Sequence, residues 1–265
     1  MIPMVSASLA LGVGSLIGLV LGVIGGGGSI LAVPLLVYVV GVESPHVAIG
    51  TAALAVSVNA LAGLAMHARK TRLRWPCAIA FSIAGVIGAL IGAAAGKAVD
   101  GQSLLALFGL VMLLVGASML RAKPQDSSTS VWLSRESASR LLPRLAVLGF
   151  GVGSLSGFFG IGGGFLIVPG LMLAARMNIG EAAAASLIAV AAFGLSSAAS
   201  YAWSGLVDWK VAALLVAGGV LGSLAGTRLL ALLADRKALL TNTFAGIVIV
   251  AGLYVSTRGL LTLAA

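Results

Sequence analysis

The sequence predicts an all-α polytopic membrane protein made of two repeats, each with about five helical segments. Hydrophobic residues make up 60% of the 265 residues and charged residues only 9%, whereas a soluble domain carries about 25% charged residues. Apolar runs of about 20 residues, long enough to cross a bilayer as helices, fill most of the chain. The second half then repeats the pattern of the first.

The repeat is clearest at two glycine-rich stretches, each of which interrupts an apolar run. Residues 25–34 read GGGGSILAVP, and residues 160–169 read GIGGGFLIVP. Aligning residues 14–34 with residues 149–169 gives nine identities in 21 positions, six of them glycines. In membrane proteins such paired interruptions mark discontinuous helices that meet near the bilayer midplane, where secondary transporters hold substrate.

Ten apolar segments follow from this division. We expect them at roughly 4–24, 28–41, 45–68, 75–96 and 102–120, and again at roughly 145–159, 164–175, 180–204, 209–230 and 238–257. The segments after the glycine stretches reach only about 20 Å, too short to span alone. They are half-helices or tilted short helices, and the first arm of each pair either crosses or re-enters. The first segment has no basic n-region and is expected to be a retained helix.

Charge predicts the orientation of the two repeats. We divide the chain into a first transmembrane repeat (1–121), a cytoplasmic linker (122–144) and a second transmembrane repeat (145–265). With the linker and the basic loop at 69–74 inside, 13 of the 16 lysines and arginines lie in the cytoplasm, as the positive-inside bias requires. Five crossings per repeat then invert the second copy and place both termini outside. The net charge of +9 is thus topogenic, and no nucleic-acid partner is expected.

The glycine stretches predict an anion site between them. Successive glycines expose backbone N–H groups because no Cβ blocks the approach, and a helix that starts there adds the positive end of its dipole. The alternative is that the glycines only permit a tight turn and close packing. Hydroxyls and amides in the third segment of each half either join helices or contact substrate. The predicted substrate-binding residues are Gly27, Gly28, Ser29, Thr51, Asn59, Gly162, Gly163, Gly164 and Ser186.

The acidic residues are informative because all of them lie at predicted loops or segment ends. They are Glu43, Asp100, Asp126, Glu136, Glu181, Asp208 and Asp235. This placement argues against a buried carboxylate proton relay and against a cationic substrate. Cys77 is the only cysteine, so neither an internal disulfide nor a cysteine-based metal site is expected. No HExxH, GxSxG or Walker motif occurs, and we expect no enzyme activity, metal or cofactor.

Three features of the sequence resemble the TauE/SafE family of sulfite and organosulfonate permeases. They are the paired Gly-rich/Val-Pro elements, the HVAIGT sequence at 46–51, and the loop that runs from Ala-Arg-Lys at 68–70 to Arg-Trp at 74–75. The resemblance covers nearly the whole chain. It implies a multi-pass protein of the bacterial inner membrane that moves small sulfur oxyanions or sulfonates, often outward. The second copy departs at Glu181 and Ala185, where the first has His46 and Gly50.

The leading hypothesis is a secondary transporter of small sulfur-containing anions such as sulfite or organosulfonates. The two halves would rock around a central site and expose it alternately to each side. One alternative is a passive channel for small anions, and another is a membrane scaffold or enzyme subunit without transport of its own. The expected partners are the anion and the lipid bilayer, with the oligomeric state, a homo-oligomer included, left open.

Overall fold

Every regular element in the described part of the chain is a helix. The computed structural model describes residues 4–67, 75–121, 138–160, 162–177, 179–232 and 237–264. Within these ranges ten α-helices and no strands are present. The predicted all-α class is therefore confirmed.

The order of helices follows the predicted segments. The first half contains α1 (Met4–Ile24), a 3₁₀ segment (Gly25–Leu31), the short α2 (Ala32–Leu35) with a π-helical turn (Leu36–Val40), α3 (Pro45–His67), α4 (Trp75–Ala98) and α5 (Gly101–Arg121). The second half contains α6 (Ala138–Phe159), α7 (Gly164–Ala175), α8 (Ile179–Trp203), α9 (Trp209–Leu232) and α10 (Lys237–Ala264). Helix α6 starts at Ala138 rather than near residue 145, so it extends into the predicted linker. Residues 122–137 of that linker lie outside the described residues.

Six of the described helices are long and apolar enough to cross a membrane. The spans are Pro45–Ala65, Trp75–Ala98, Gly101–Leu120, Leu141–Phe159, Glu181–Trp203 and Trp209–Leu229. The helices that follow the glycine stretches, Gly28–Val40 and Gly164–Ala175, are shorter. A helix of 12 residues rises about 18 Å, well below the ~30 Å of a hydrocarbon core, so these two elements are short as the sequence predicts.

Two aspartates determine where α5 and α9 begin. The Asp100 carboxylate accepts hydrogen bonds from the Gln102 and Ser103 N–H groups at 3.0 and 3.1 Å. Asp208 accepts from the N–H groups of Lys210 and Val211 at 2.9 and 3.0 Å. Both are N-caps, and the Ser103 N–H in particular holds the pKa of the Asp100 carboxyl below its ordinary value. These acidic side chains stabilise helix ends.

The two halves interlock through two closely packed helix pairs. Helix α1 packs along α9 of the other half, and α6 packs along α4 of the other half. At the equivalent positions Gly14 and Gly149, an added Cβ would lie 2.5 Å from the carbonyl oxygens of Leu215 and Phe81, respectively. The glycines recur at intervals of four residues, a small-xxx-small spacing that lets two backbones touch.

The central contacts pair each element with its own counterpart in the other half. Helix α3 packs on α8, α5 on α10, and the 3₁₀ segment on α7. Helix α3 also packs on α9, and α8 packs on α4. We call α1, α3 and α9 the first module, and α4, α6 and α8 the second module. The contacts have the pattern of a two-fold-related repeat, while an axis in the membrane plane, which would invert one copy, stays a prediction.

Alanine at Gly18 or Gly153 is expected to destabilise the protein, because the new Cβ would overlap the backbone of Gly219 or Gly85. Overpacking of this kind typically costs about 1–3 kcal/mol. Gly12→Ala and Gly151→Ala are matched controls on the same helices, since nothing lies within 4 Å of their added Cβ.

The measurement is the melting temperature of the detergent-solubilised protein. The two control variants should keep or raise it, because alanine favours a helix over glycine by about 1 kcal/mol. An equal fall in melting temperature in all four variants would show that close packing of the helix pairs is not the reason why alanine destabilises the protein at Gly18 and Gly153.

Candidate functional site

The 3₁₀ segment that contains the first glycine stretch packs against the helix that follows the second stretch. The 3₁₀ segment (Gly25–Leu31) contacts α7 (Gly164–Ala175), and it also contacts α8. We call the 3₁₀ segment the first break and the turn formed by Gly160, Gly162 and Gly163, together with the start of α7, the second break. The sequence predicts that the two breaks converge. The structure shows the contact between the 3₁₀ segment and α7, and a site shared by the two breaks stays a prediction.

The second break is a turn that only glycine accommodates well. Gly160, Gly162 and Gly163 have φ angles of 63°, 67° and 66°, in the left-handed region that other residues rarely adopt. The Gly163 carbonyl accepts the Leu166 and Ile167 N–H groups at 2.8 and 2.9 Å, which starts α7. The N–H groups that precede Leu166 at the start of a helix have no partners within it, so the positive end of the α7 dipole faces this turn.

The turn is held between the central helices of the two modules. A Cβ on Gly162 would lie 3.3 Å from Val190 Cγ1 on α8 and 3.5 Å from Val56 Cγ1 on α3. Both valines are buried, as are Gly160, Gly162 and Gly163. A solute bound at the second break would therefore be enclosed by apolar walls, which strengthen any electrostatic contact made there.

The first break has a different conformation from the second. Its residues form a 3₁₀ helix that continues from α1, and Gly28 lies outside the left-handed region. A Cβ on Gly28 would lie 2.6 Å from the backbone nitrogen of Leu21. Gly27 belongs to the same 3₁₀ segment, and Ser29 is fully buried. Close packing on α1 thus explains why residue 28 is a glycine, and no ligand is needed for that explanation.

Asn59 lies in α3 where this helix meets α9. Its side chain is 2% exposed, and Nδ2 donates to the Leu215 carbonyl at 3.4 Å. Its Oδ1 has no hydrogen-bond partner among the described residues. The amide occupies the space above Gly219, where any Cβ would collide with it. Asn59 therefore joins α3 to α9 and keeps one acceptor unused, and its contact with a substrate stays a prediction.

Thr51 and Ser186 occupy equivalent positions in sequence but have different partners. Thr51 Oγ1 accepts the Asp208 N–H at 2.9 Å and so ties α3 to the start of α9. Ser186 Oγ donates to the Ala183 carbonyl of its own helix at 2.7 Å. Both hydroxyls thus have structural partners, Thr51 at the start of α9 and Ser186 within α8, and a substrate role for either one stays a prediction.

The electrostatic field at the breaks comes from the backbone rather than from charged side chains. In the part of the chain that the structure describes, the carboxylates lie in loops or in the first turn of a helix: Glu43, Asp100, Glu181 and Asp208. The other three acidic residues lie outside it. Lys97, at the end of α4, donates to the Ser200 carbonyl and to Ser204 Oγ at 3.1 and 3.0 Å. This distribution favours a small anion over a cation.

Ser156 is a polar residue of the second break that the sequence-based set does not include. It lies near the end of α6, is 1% exposed, and its Cβ would be 2.5 Å from a Cβ on Gly163. The repeat contains a signal for it, because Ser156 aligns with Leu21. A polar residue in one copy that aligns with an apolar residue in the other, next to a glycine break, indicates a difference between the two breaks.

Comparisons with known proteins identify one family. The model of the sulfite exporter TauE/SafE family matches residues 10–255. A probable membrane transporter protein of Xylella fastidiosa (strain Temecula1) is 45% identical over 260 residues, covering 98% of each chain. The probable membrane transporter protein YunE of Bacillus subtilis is 30% identical over 235 residues, covering 81% of this chain and 82% of YunE. No solved structure gives a significant match.

Thr51→Val is expected to lower the free energy of unfolding by about 1 kcal/mol, because it removes the acceptor of the Asp208 N–H and leaves that part-buried group without a protein partner. Thr51→Ser is the matched control, since it keeps the hydroxyl. The measurement is thermal or denaturant unfolding of the purified protein. A stability loss of the same size in both variants would contradict the assignment of this hydrogen bond.

Proposed function

We propose that this chain, which belongs to the sulfite exporter TauE/SafE family, is a secondary transporter that carries small sulfur-containing anions across the membrane. Six helices long enough to cross a bilayer and relatives named as probable membrane transporter proteins support the transporter part. The family description is what supports sulfite or organosulfonates as cargo. The bacterial inner membrane follows from the same family likeness as the proposed location.

The second break is the observation that carries the anion assignment. Its glycine turn, at the start of α7, is buried between Val56 and Val190, and the carboxylates of the described residues lie in loops or in the first turn of a helix. Helix N-termini bind oxyanions through backbone N–H groups and the helix dipole. The proposed contacts are therefore the N–H groups around Gly162, Gly163 and Gly164, with Gly27, Gly28 and Ser29 of the first break opposite them.

Three side chains of the central helices complete the proposed site. Thr51, Asn59 and Ser186 are buried, and each could turn a hydroxyl or amide donor to an oxyanion when the helices move. Neutral donors suit a transported anion, because a buried lysine or arginine would hold it too tightly for release on either side. The apolar walls exclude water and strengthen each hydrogen bond to the anion.

The helix pairs decide which parts can move against each other. The α1–α9 and α4–α6 pairs each join one helix from either half through glycine contacts. Rocking of intact sequence halves, as expected from the repeat alone, would require both pairs to separate. We therefore assign alternating access to the two modules, which meet where α3 packs on α8 and where the breaks touch.

Transport by the purified chain tests the proposed function. In liposomes that contain only this protein, sulfite flux should saturate with concentration, and trapped unlabelled sulfite should drive counterflow of labelled sulfite. These are properties of a carrier with one site that is exposed alternately. Flux that rises without saturation and without counterflow would indicate a channel, and stable partner binding without flux would indicate a scaffold subunit.

Distances between spin labels test which parts move. Leu16 on α1, Ile87 on α4 and Leu221 on α9 are 47%, 55% and 62% exposed and accept labels in a Cys77→Ser background. The Leu16–Leu221 distance, across the halves but within the first module, should stay constant when sulfite is added to protein in liposomes. The Leu16–Ile87 distance, within one half but across the modules, should change. If intact halves rocked instead, the Leu16–Leu221 distance would change and the Leu16–Ile87 distance would stay constant.

A further inference from the structure

We infer that Ser156 binds the transported anion through its hydroxyl, and that the second break, rather than both breaks equally, is the anion-binding half of the site. This inference rests on the proposed function and names a specific donor within it. Three observations carry it: the position of Ser156 against the start of α7, its unsatisfied hydroxyl, and the apolar residue at the equivalent position of the other copy.

The position of Ser156 places its hydroxyl at the start of α7. An ideal Cβ on Gly163 would lie 2.5 Å from Ser156 Cβ and 2.7 Å from Ser156 Oγ. Gly163 is the N-cap residue of α7, so the hydroxyl lies beside the helix end whose first N–H groups have no partners within the helix. An oxyanion at this end would accept hydrogen bonds from backbone N–H groups and from Ser156 together.

The hydroxyl of Ser156 is one of four buried serine hydroxyls on helices, with those of Ser82, Ser197 and Ser256, that have no hydrogen-bond partner among the described residues. Several other helical serines donate to a carbonyl one turn earlier, as Ser154 does to Phe150 at 2.9 Å and Ser223 to Val220 at 2.9 Å. Ser156 is 1% exposed and has no hydrogen-bond partner among the described residues. A buried hydroxyl without a partner is unfavourable, and a bound anion would remove that cost.

The other copy of the repeat has an apolar residue at the position of Ser156. Ser156 aligns with Leu21, which is 2% exposed. A Cβ on Gly28 would meet the backbone of Leu21 and Val20, whereas a Cβ on Gly163 would meet the side chain of Ser156. The first break is a 3₁₀ helix, so the serine hydroxyl and the left-handed glycine turn occur together at the second break.

Ser156→Ala tests the inference, with Ser154→Ala as the matched control. Both variants lose one hydroxyl from the same helix, but the Ser154 hydroxyl bonds to its own backbone. We expect Ser156→Ala to raise the dissociation constant for sulfite about 10-fold or more, the effect of losing a hydrogen bond to a charged group. Ser154→Ala should stay within about two-fold. The melting temperature without sulfite should not fall in Ser156→Ala, because no bond is lost there.

The measurements are equilibrium binding of labelled sulfite to the detergent-solubilised full chain and sulfite flux in liposomes. An unchanged dissociation constant in Ser156→Ala, with or without a lower melting temperature, would overturn the inference and leave Ser156 as a packing residue. A weakened affinity in a protein that shows no flux would support the inference and overturn the transport proposal. A wild-type chain that binds no sulfite at any concentration short of aggregation would overturn both.

Discussion

The contact of backbone on backbone between α1 and α9, and between α4 and α6, is the constraint on which the rest of the structure depends. Membrane helices gain little from burying apolar side chains against one another, because lipid is equally apolar, so close van der Waals contact has to hold them together. Glycines such as Gly18 and Gly153 permit that contact, since a Cβ at either position would overlap the facing helix. Each pair takes one helix from either half, and the halves are therefore interlocked.

The interlocked pairs explain why the two breaks meet. The first break follows α1 and the second follows α6, so each break is carried by a helix that is fixed against the opposite half. The remaining central contact, α3 against α8, brings the two modules together on either side of the breaks. The proposed site thus lies where the two helix pairs adjoin, and under the proposed function a small change in helix packing there would alter access. A site inside one rigid pair would have no such freedom.

The sequence was sufficient for the fold because hydrophobic length and internal repetition are direct signals of membrane helices. The ten segments and the short elements after the two glycine stretches follow from it. The conformation of the breaks does not follow, because four glycines at 25–28 allow a 3₁₀ helix as readily as a turn. Hydrogen-bond partners that are distant in sequence could not be predicted either. The Asp208 N–H, which donates to Thr51, is an example, since the sequence around a hydroxyl does not indicate which group it will contact.

The two copies keep a common scaffold and differ in the side chains that face the centre. The glycines that join the helix pairs match between the copies. In contrast, Leu21 of the first copy aligns with Ser156 of the second. Asn59 fills the space beside Gly219, whereas Phe193 fills the space beside the equivalent Gly85. The scaffold positions hardly tolerate change, because any Cβ there meets backbone. A side chain at the breaks can change without disturbing those contacts. Under the proposed function, a helix end that contributes at most about 2 kcal/mol of attraction leaves room for single hydroxyl or amide donors to distinguish one anion from another. The few positions where the halves have diverged are then the ones that would set selectivity.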